Sequence, residues 1–433
     1  SQHHLALRVF NSVGAGGVWK PVSVMIGPAI ESVAMPDNPQ IGAVVHTDRL
    51  VFTATESMGF DGNGEGEFTI GNAIRTVDSD GGDQRRIRQL RGHLWSPRFS
   101  PNGRRIAFVH DTCGRGQIWV MDTFGSDPVN ISNNDFCDRE PAWSPDGNKI
   151  AFRSDRESNW NIYVMEDDGS EQRRLIDHPG LDRSPVWSPD GKRIAWESHR
   201  SGMPNIWVCD TDGTNSRPLI APDKPIRIQQ VVQRRRQFHY YNLDSPFPDN
   251  TFYLTNPKWS PDGKRIAAVI NGQDCSRGAI IDVDGSSMLK LSYYNSDNYV
   301  WSPDGKKLAC TVRPWQETER SSICVINVDR SNELTEWSQR SVLDVTSQSP
   351  RLGGAGRSGF VTWYSHGSAK PRRVVKSFYS LAWSPNSKRL VFSSDMDPSG
   401  AFYVYTISPD GGEPARLEMT KSAWPQDVMW RPY

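Results

Sequence analysis

The sequence has no hydrophobic run long enough to cross a membrane and no surplus of charge of either sign. Its 433 residues include 50 Lys and Arg against 50 Asp and Glu. We therefore expect no membrane span, and no long-range attraction that would favour nucleic acid as a partner. The six cysteines form no CxxC pair and no Cys/His spacing typical of zinc, so neither a metal nor a cofactor is predicted.

What the sequence has instead is a repeated turn. Trp-Ser-Pro-Asp-Gly-Lys-Arg-Ile-Ala, or a close variant, begins at Phe99, Trp143, Trp187, Trp259, Trp301 and Trp383. The prolines of these copies are 44, 44, 72, 42 and 82 residues apart. A period near 44 with strand-like content is typical of a β-propeller.

One repeat, residues 183–220, predicts four short strands. The segments RSPVW, KRIAWES, NIWVCD and SRPLI are separated by turns at Pro189-Asp190-Gly191 and Asp212-Gly213 and by one polar loop. Proline presets the first turn dihedral, and glycine supplies the positive φ that a tight hairpin needs. Such four-stranded blades stack around an axis, and we expect the repeated Trp residues to fill the gaps between them.

The two ends of the chain predict how the ring closes. Residues 48–56 and 72–82 read as the second and third strands of a blade that has no first strand before them. Residues 427–432 match that missing strand. The fold class is therefore all-β, a seven-bladed propeller over residues 43–433 closed by its C-terminal strand, with an eighth blade inside the 82-residue interval as the alternative. Residues 1–42 lack the repeat and form an added strand, a cap or an arm.

Two cysteine pairs are placed where they could oxidise. Cys310 and Cys324 flank one loop and should face each other on paired strands, and Cys113 and Cys137 fall in loops of adjacent blades. The alternative is that all six cysteines are reduced fillers of strand surfaces.

Two long intervals are insertions, at about 221–254 and 338–378. Each connects an outer strand to the next inner strand, so both should emerge on one face around the central channel. Long loops in compact domains are usually functional or disordered. We expect these two to form a wall or lid over the channel.

Both insertions combine basic and aromatic residues. Residues 224–243 contain five Lys or Arg and no carboxylate, and residues 345–394 contain eight and again none. Arginine forks bind carboxylate, sulfate or phosphate, and aromatic rings stack on sugars. The predicted ligand-binding residues are Arg234, Arg235, Arg236, Tyr240, Tyr241, Trp363, Tyr364, His366, Arg372 and Arg373. The alternative is that these charged residues serve only to keep the loops soluble.

Histidine, tyrosine and arginine on the same face also allow lyase chemistry. A base next to a carboxylate can abstract a proton while arginine neutralises the carboxylate. In this reading His199 or His239 is the base, Tyr240 or Tyr241 the acid, and Arg183 or Arg235 the neutralising group. The alternative is that these histidines are ordinary polar surface.

The repeat pattern resembles that of the TolB-like propellers, which are related to WD-repeat proteins. Residues 150–170, IAFRSDRESNWNIYVMEDDGS, match the pattern closely, and the resemblance covers about residues 43–433. It implies the propeller fold and a function among periplasmic interaction proteins, serine peptidase propellers or polysaccharide lyases. It also implies that Asp138, Asp182, Arg156 and Arg200 are structural, with His199 standing where the pattern has Asp.

Departures from the family narrow this choice. The sequence has no Gly-x-Ser-x-Gly elbow, so no peptidase domain is predicted. Oligogalacturonate lyases carry metal-binding histidines just before their proline turns, where this sequence has Ala142, Val186 and Ala382. Among the lyases, this departure disfavours the metal-dependent type and leaves a metal-independent one open.

The predicted function is non-catalytic recognition or scaffolding. The partner is an acidic polysaccharide or a protein, bound through the face that carries both insertions. A polysaccharide lyase acting on uronate-containing glycan is the alternative. The chain begins at Ser1 rather than Met, so it is either a processed mature form or a trimmed chain. We expect an exported protein, periplasmic or extracellular, whose signal sequence is not in this chain.

Overall fold

The computed structural model describes most of the chain from residue 49 onward. The described ranges are 49–58, 69–79, 81–82, 84–87, 92–112, 114–220, 227–234, 237–243, 253–271, 276–291, 296–312, 322–328, 340–342, 378–394, 402–411, 413–417 and 425–432. Every regular element in these ranges is a β-strand, and none of them holds a helix long and apolar enough to cross a membrane. The predicted arm at residues 1–42 lies outside them.

The strands form seven sheets, six of four strands and one of six. Blade 1 contains β1 (Arg49–Met58), β2 (Thr69–Asp78) and β3 (Arg85–Ile87). Blade 2 contains β4 (His93–Phe99), β5 (Arg105–Asp111), β6 (Gly116–Asp122) and β7 (Val129–Asn130). Blade 3 contains β8 (Asp138–Trp143), β9 (Lys149–Ser154), β10 (Asn161–Glu166) and β11 (Arg173–Arg174). Blade 4 contains β12 (Asp182–Trp187), β13 (Arg193–Ser198), β14 (Asn205–Asp210) and β15 (Arg217–Pro218).

The second half of the ring repeats this order. Blade 5 adds β16 (Arg227–Arg234) and β17 (Gln237–Leu243) to β18 (Tyr253–Trp259), β19 (Arg265–Asn271), β20 (Ser276–Asp282) and β21 (Ser287–Lys290). Blade 6 contains β22 (Ser296–Trp301), β23 (Lys307–Val312), β24 (Ser322–Asn327) and β25 (Arg340–Val342). Blade 7 contains β26 (Phe378–Trp383), β27 (Leu390–Ser394), β28 (Tyr403–Ile407) and β29 (Ala415–Arg416). The last strand, β30 (Pro425–Trp430), returns to blade 1.

The ring closes as the sequence predicts. β30 pairs antiparallel with β1, with Leu50 opposite Trp430, and so supplies the innermost strand of blade 1. The innermost strands β30, β4, β8, β12, β18, β22 and β26 contact one another in that order and back to β30. Because β22 contacts β26 directly, the ring has no room for an eighth blade, and the seven-bladed propeller is confirmed.

The repeated turn is held by its own side chains. In blade 5 the Ser260 hydroxyl donates to Asp262 Oδ1 at 2.6 Å, and Arg265 N donates back to Ser260 Oγ at 2.9 Å. Gly263 has a φ of 67°, a left-handed conformation that glycine adopts without strain. These contacts explain why serine, aspartate and glycine recur together in four of the turns, and why Asn102 and Asn386, whose side-chain oxygens accept from Ser100 and Ser384, replace aspartate in two others.

The repeated Trp residues join neighbouring blades. Their indole N–H groups donate to backbone carbonyls of the preceding blade: Trp143 to Arg98 at 3.1 Å, Trp187 to Ala142 at 3.0 Å, Trp259 to Val186 at 3.2 Å, Trp301 to Lys258 at 3.1 Å and Trp383 to Val300 at 3.1 Å. All five rings are buried. Each ring therefore fills an interface and satisfies one carbonyl there, which confirms the architectural role predicted for them.

The first insertion extends a blade outward instead of covering the channel. β16 pairs in parallel with β21, with Ile228 opposite Met288, and β17 pairs with β16. β17 is thus the sixth strand from the channel, about 24 Å from β18 at ordinary strand spacing. The predicted lid is wrong for residues 227–243, because the open backbone edge of β21 pairs with this segment.

Blade 6 bears on two further predictions. Its outer strand, β25, occupies residues 340–342, inside the interval predicted to be an insertion, and residues 343–377 lie outside the described ranges. Cys310 and Cys324 are register partners on β23 and β24, which confirms their predicted opposition. The predicted pairing of Cys113 with Cys137 is untested, because Cys113 lies outside the described ranges.

Candidate functional site

Two buried ion pairs hold the loops at one end of the channel. Arg156 contacts Asp138 at 3.3 Å and Arg200 contacts Asp182 at 3.0 Å, and both aspartates are fully buried. Burial raises the pKa of the Asp182 carboxyl, against the opposing effect of its contacts with Ser198 and Arg200. Each pair ties the start of an innermost strand to the loop after the second strand, which confirms the structural role expected for these residues.

Nearly every innermost strand contains a β-bulge at the same position. Its central residue has a positive φ at Ser96, Glu140, Ser184, Asn256, Asn298 and Asp427. Three of these bulges receive a carboxylate from the preceding blade. Asp427 accepts from Ser96 N at 3.1 Å, Glu140 from Ser184 N at 2.7 Å, and Glu197 from Asn256 N at 3.4 Å. The bulges place polar side chains on the channel wall just inside one face.

Arginine and tryptophan side chains gather at that end of the channel in blades 2 and 3. The Arg139 guanidinium lies 5.8 Å from the Trp95 ring and 5.7 Å from the Trp160 ring. Arg153 lies 4.4 Å from Trp160. Arg139 donates to Cys137 Sγ at 3.1 Å but pairs with no carboxylate among the described residues. The stacked rings thus hold a cation without a counter-charge.

A second group adjoins it in blade 4. Glu197 is buried and accepts hydrogen bonds from the Arg183 guanidinium, while His199 Nε2 lies 3.8 Å from the same carboxylate, beyond hydrogen-bond distance. Arg153 links the two groups: it lies 3.4 Å from Glu140, and the charges of Arg139 and Arg183 both reach it. Burial and these two cations lower the pKa of Arg153.

We call these eight residues the mouth cluster: Trp95, Arg139, Glu140, Arg153, Trp160, Arg183, Glu197 and His199. It contains three arginines against two carboxylates. Two of its buried polar atoms, Trp95 Nε1 and His199 Nε2, have no hydrogen-bond partner among the described residues, and Arg153 Nε has only its 3.4 Å ion-pair contact with Glu140. Native proteins rarely leave buried donors unpaired, so the arrangement suits an acceptor-rich ligand.

Comparison with known proteins agrees with the fold. Residues 61–242 match the family described as the TolB beta propeller domain. The chain is a β-propeller repeat protein whose residues 61–242 are similar to the TolB family. No curated protein matches its sequence.

Solved structures similar to this TolB-like propeller share its fold at low identity. TolB from Acinetobacter baumannii is 16% identical, with 90% of this chain and 67% of that chain covered and a TM-score of 0.49. An oligogalacturonate lyase from Vibrio parahaemolyticus is 11% identical, with coverages of 83% and 91% and a TM-score of 0.53. An oligogalacturonate lyase in complex with manganese is 14% identical, with coverages of 78% and 83% and a TM-score of 0.52.

The TolB-like propeller brings only some predicted site residues together. Arg183 forms an ion pair with Glu197, and His199 Nε2 lies 3.8 Å from the same carboxylate, so both belong to the mouth cluster. Arg234, His239, Tyr240 and Tyr241 lie on β16 and β17 at the outer edge of blade 5. The structure therefore does not bring the predicted acid tyrosines or His239 to Arg183. Arg235, Arg236, Trp363, Tyr364, His366, Arg372 and Arg373 lie outside the described residues, and their predicted role in ligand binding is untested.

Most of the mouth cluster was not predicted from the sequence, although a signal for it was present. Trp95, Arg139 and Arg183 each stand six residues before the proline of their turn, and Arg153 and Glu197 stand eight residues after theirs. Comparing repeats column by column would have shown positions that carry large or charged side chains in neighbouring blades. Within the described ranges, no three His, Cys, Asp or Glu side chains are grouped to hold a metal ion.

Proposed function

We propose that this TolB-like propeller is a non-catalytic recognition protein that binds an anionic ligand, with an acidic polysaccharide as the first candidate, at the mouth cluster. The observation that carries the proposal is the pair of buried polar atoms without hydrogen-bond partners, Trp95 Nε1 and His199 Nε2, in the same cluster as Arg139, a cation without a carboxylate partner among the described residues. A uronate sugar offers both a carboxylate for an arginine fork and hydroxyl oxygens for the other donors. The TolB-like repeats support export as part of the same proposal.

Removing the charge of Arg139 tests the proposal that the mouth cluster binds an anionic ligand. We expect Arg139→Gln to weaken binding of pectate, alginate or a glycosaminoglycan about 10-fold or more, since a hydrogen bond to a charged group contributes about 1.5–3 kcal/mol. Arg139→Lys keeps the charge but loses the planar fork and should fall in between. Isothermal titration calorimetry at low and moderate salt measures all three proteins, and binding should weaken as salt rises.

Arg104→Gln is the matched control. Arg104 is exposed in the turn at the opposite end of blade 2, so this variant removes the same charge far from the mouth cluster and should bind like the wild type. Equal weakening in both variants would show a non-specific charge effect. If no polyanion binds even at low salt, the anionic ligand is ruled out and a protein partner takes its place.

A metal-independent polysaccharide lyase is the second candidate. It is favoured by His199, whose unbonded Nε2 adjoins the carboxylate held by Arg183. His199 would be the base and Arg183 the neutralising group. The predicted acid tyrosines lie on β17, about 24 Å from β18 along the sheet. The mouth cluster therefore contains a candidate base but not the predicted acid.

An absorbance assay separates the two functions. Under the recognition proposal we expect no rise in ultraviolet absorbance when the protein is incubated with ulvan, pectate, alginate or glycosaminoglycans. A rise that His199→Ala abolishes would establish the lyase instead, because β-elimination leaves an unsaturated, absorbing product. A rise unchanged in His199→Ala would point to a contaminating activity or a base elsewhere.

A further inference from the structure

One layer of the channel wall has an unusual composition. It consists of the residues three before the turn proline, or its equivalent, in each blade: Arg98, Ala142, Val186, Lys258, Val300, Ala382 and Met429. All seven are partly exposed, although they lie on innermost strands with a blade packed on either side. The exposed part of each residue must therefore border the channel. Five of the seven are apolar and two are cationic.

The two cations face each other across the channel. Arg98 belongs to blade 2 and Lys258 to blade 5, so two whole blades separate them along the ring. Burial, followed by the charge of Arg98, lowers the pKa of Lys258 to about 8. Because blades 2 and 5 do not adjoin, that repulsion acts through the channel itself.

Neither cation has a carboxylate partner among the described residues. Arg98 donates to Pro97 O at 2.9 Å and to Met429 Sδ at 3.5 Å. Lys258 makes no side-chain hydrogen bond or ion pair to any described residue. Two cations that share one largely apolar layer of the channel wall are unfavourable unless something negative lies between them.

The carboxylates that face this layer are already engaged. Glu140, the only one whose charge reaches Lys258, lies 3.4 Å from Arg153 and accepts from Ser184 N. Asp427 accepts from Ser96 N, and Glu197 binds Arg183. None of these three carboxylates is therefore placed to neutralise Arg98 and Lys258.

We propose that the channel binds one small oxyanion, a carboxylate or a phosphate, between Arg98 and Lys258. The guanidinium offers a planar fork and the ammonium a mobile point charge, a pair suited to an oxygen-bearing anion. The Ala and Val side chains on the remaining wall carry no charge, and an apolar surrounding strengthens the attraction. This site lies deeper than the mouth cluster and does not depend on the function proposed there.

Calorimetric titration of the whole protein with sodium acetate and with inorganic phosphate, each in a low-salt buffer at pH 7, tests the proposal. We expect one equivalent to bind, and Lys258→Met to weaken binding at least about 10-fold. Lys192→Met removes the same charge from an exposed turn and should leave binding unchanged. Acetate affinity should also fall between pH 7 and pH 9 as Lys258 loses its proton, while acetate itself stays ionised.

The outcomes are distinguishable. Binding of acetate alone would assign the site to a carboxylate group, and binding of phosphate alone to a free phosphate. Failure of the wild type to bind either anion, or equal binding by Lys258→Met, would overturn the proposal. Arg139→Gln separates the two sites: it should keep acetate binding while it weakens polysaccharide binding, and loss of both would place the anion at the mouth cluster.

Discussion

Replacing Lys258 by methionine should stabilise the propeller by about 3 kcal/mol at pH 7 in a buffer free of small oxyanions. The pKa of Lys258 falls from 10.5 in the unfolded chain to about 8 in the fold, and each unit of difference corresponds to about 1.4 kcal/mol. Below pH 8 the lysine is charged in both states, so the native state carries the full cost of a desolvated ammonium facing Arg98.

The pH dependence has a definite sign. Between about pH 8 and pH 10.5 the unfolded chain holds a proton on this lysine that the native state has released, so wild-type stability rises with pH. The advantage of Lys258→Met should therefore shrink over that interval and leave only a pH-independent packing difference. Urea unfolding of both proteins at several pH values measures it, with Lys192→Met as the control that should change stability by less than about 0.5 kcal/mol.

Two results would contradict this prediction. A stability difference that stays constant from pH 7 to pH 10 would show that Lys258 keeps an ordinary pKa and that the layer is well hydrated. A destabilised Lys258→Met would show that the ammonium has a favourable partner. Addition of acetate should narrow the gap at pH 7, since an anion bound to the wild type offsets the repulsion.

Removing Asp182 should have the opposite effect and destabilise the propeller. Asp182→Ala leaves Arg200, whose guanidinium contacts Asp182 at 3.0 Å, buried without its counter-charge. Breaking a buried pair by removing one partner costs about 3–5 kcal/mol. Urea unfolding monitored by Trp fluorescence measures the change.

A double variant separates the ion pair from simple loss of packing. Asp182→Leu with Arg200→Met replaces the pair by apolar side chains, which is often close to neutral in stability. It should recover most of the loss seen in Asp182→Ala. A single variant within about 1 kcal/mol of the wild type would contradict the prediction, and it would indicate that water reaches Arg200 in this loop.

The repeat spacing was sufficient to predict the fold because each copy contains the residues that form its own turn. Ser260, Asp262 and Gly263 build their turn from contacts within a few residues. Ring closure was also predictable, because residues 427–432 repeat a pattern whose partner strands stand at the other end of the chain. The position of the first insertion could not be predicted, since residues 227–243 could have covered the channel or paired with the free edge of β21.

The sequence by itself determined the propeller fold, its repeated turns and the closure by β30, because these follow from local turns and from a strand pattern that recurs along the chain. Only the tertiary structure decided which charges meet. Arg98 and Lys258 are 160 positions apart in the sequence and face each other because the ring curves through the two blades between them. The mouth cluster has the same origin: its side chains converge because bulges in separate strands turn toward one axis, a relation between blades that no single repeat encodes.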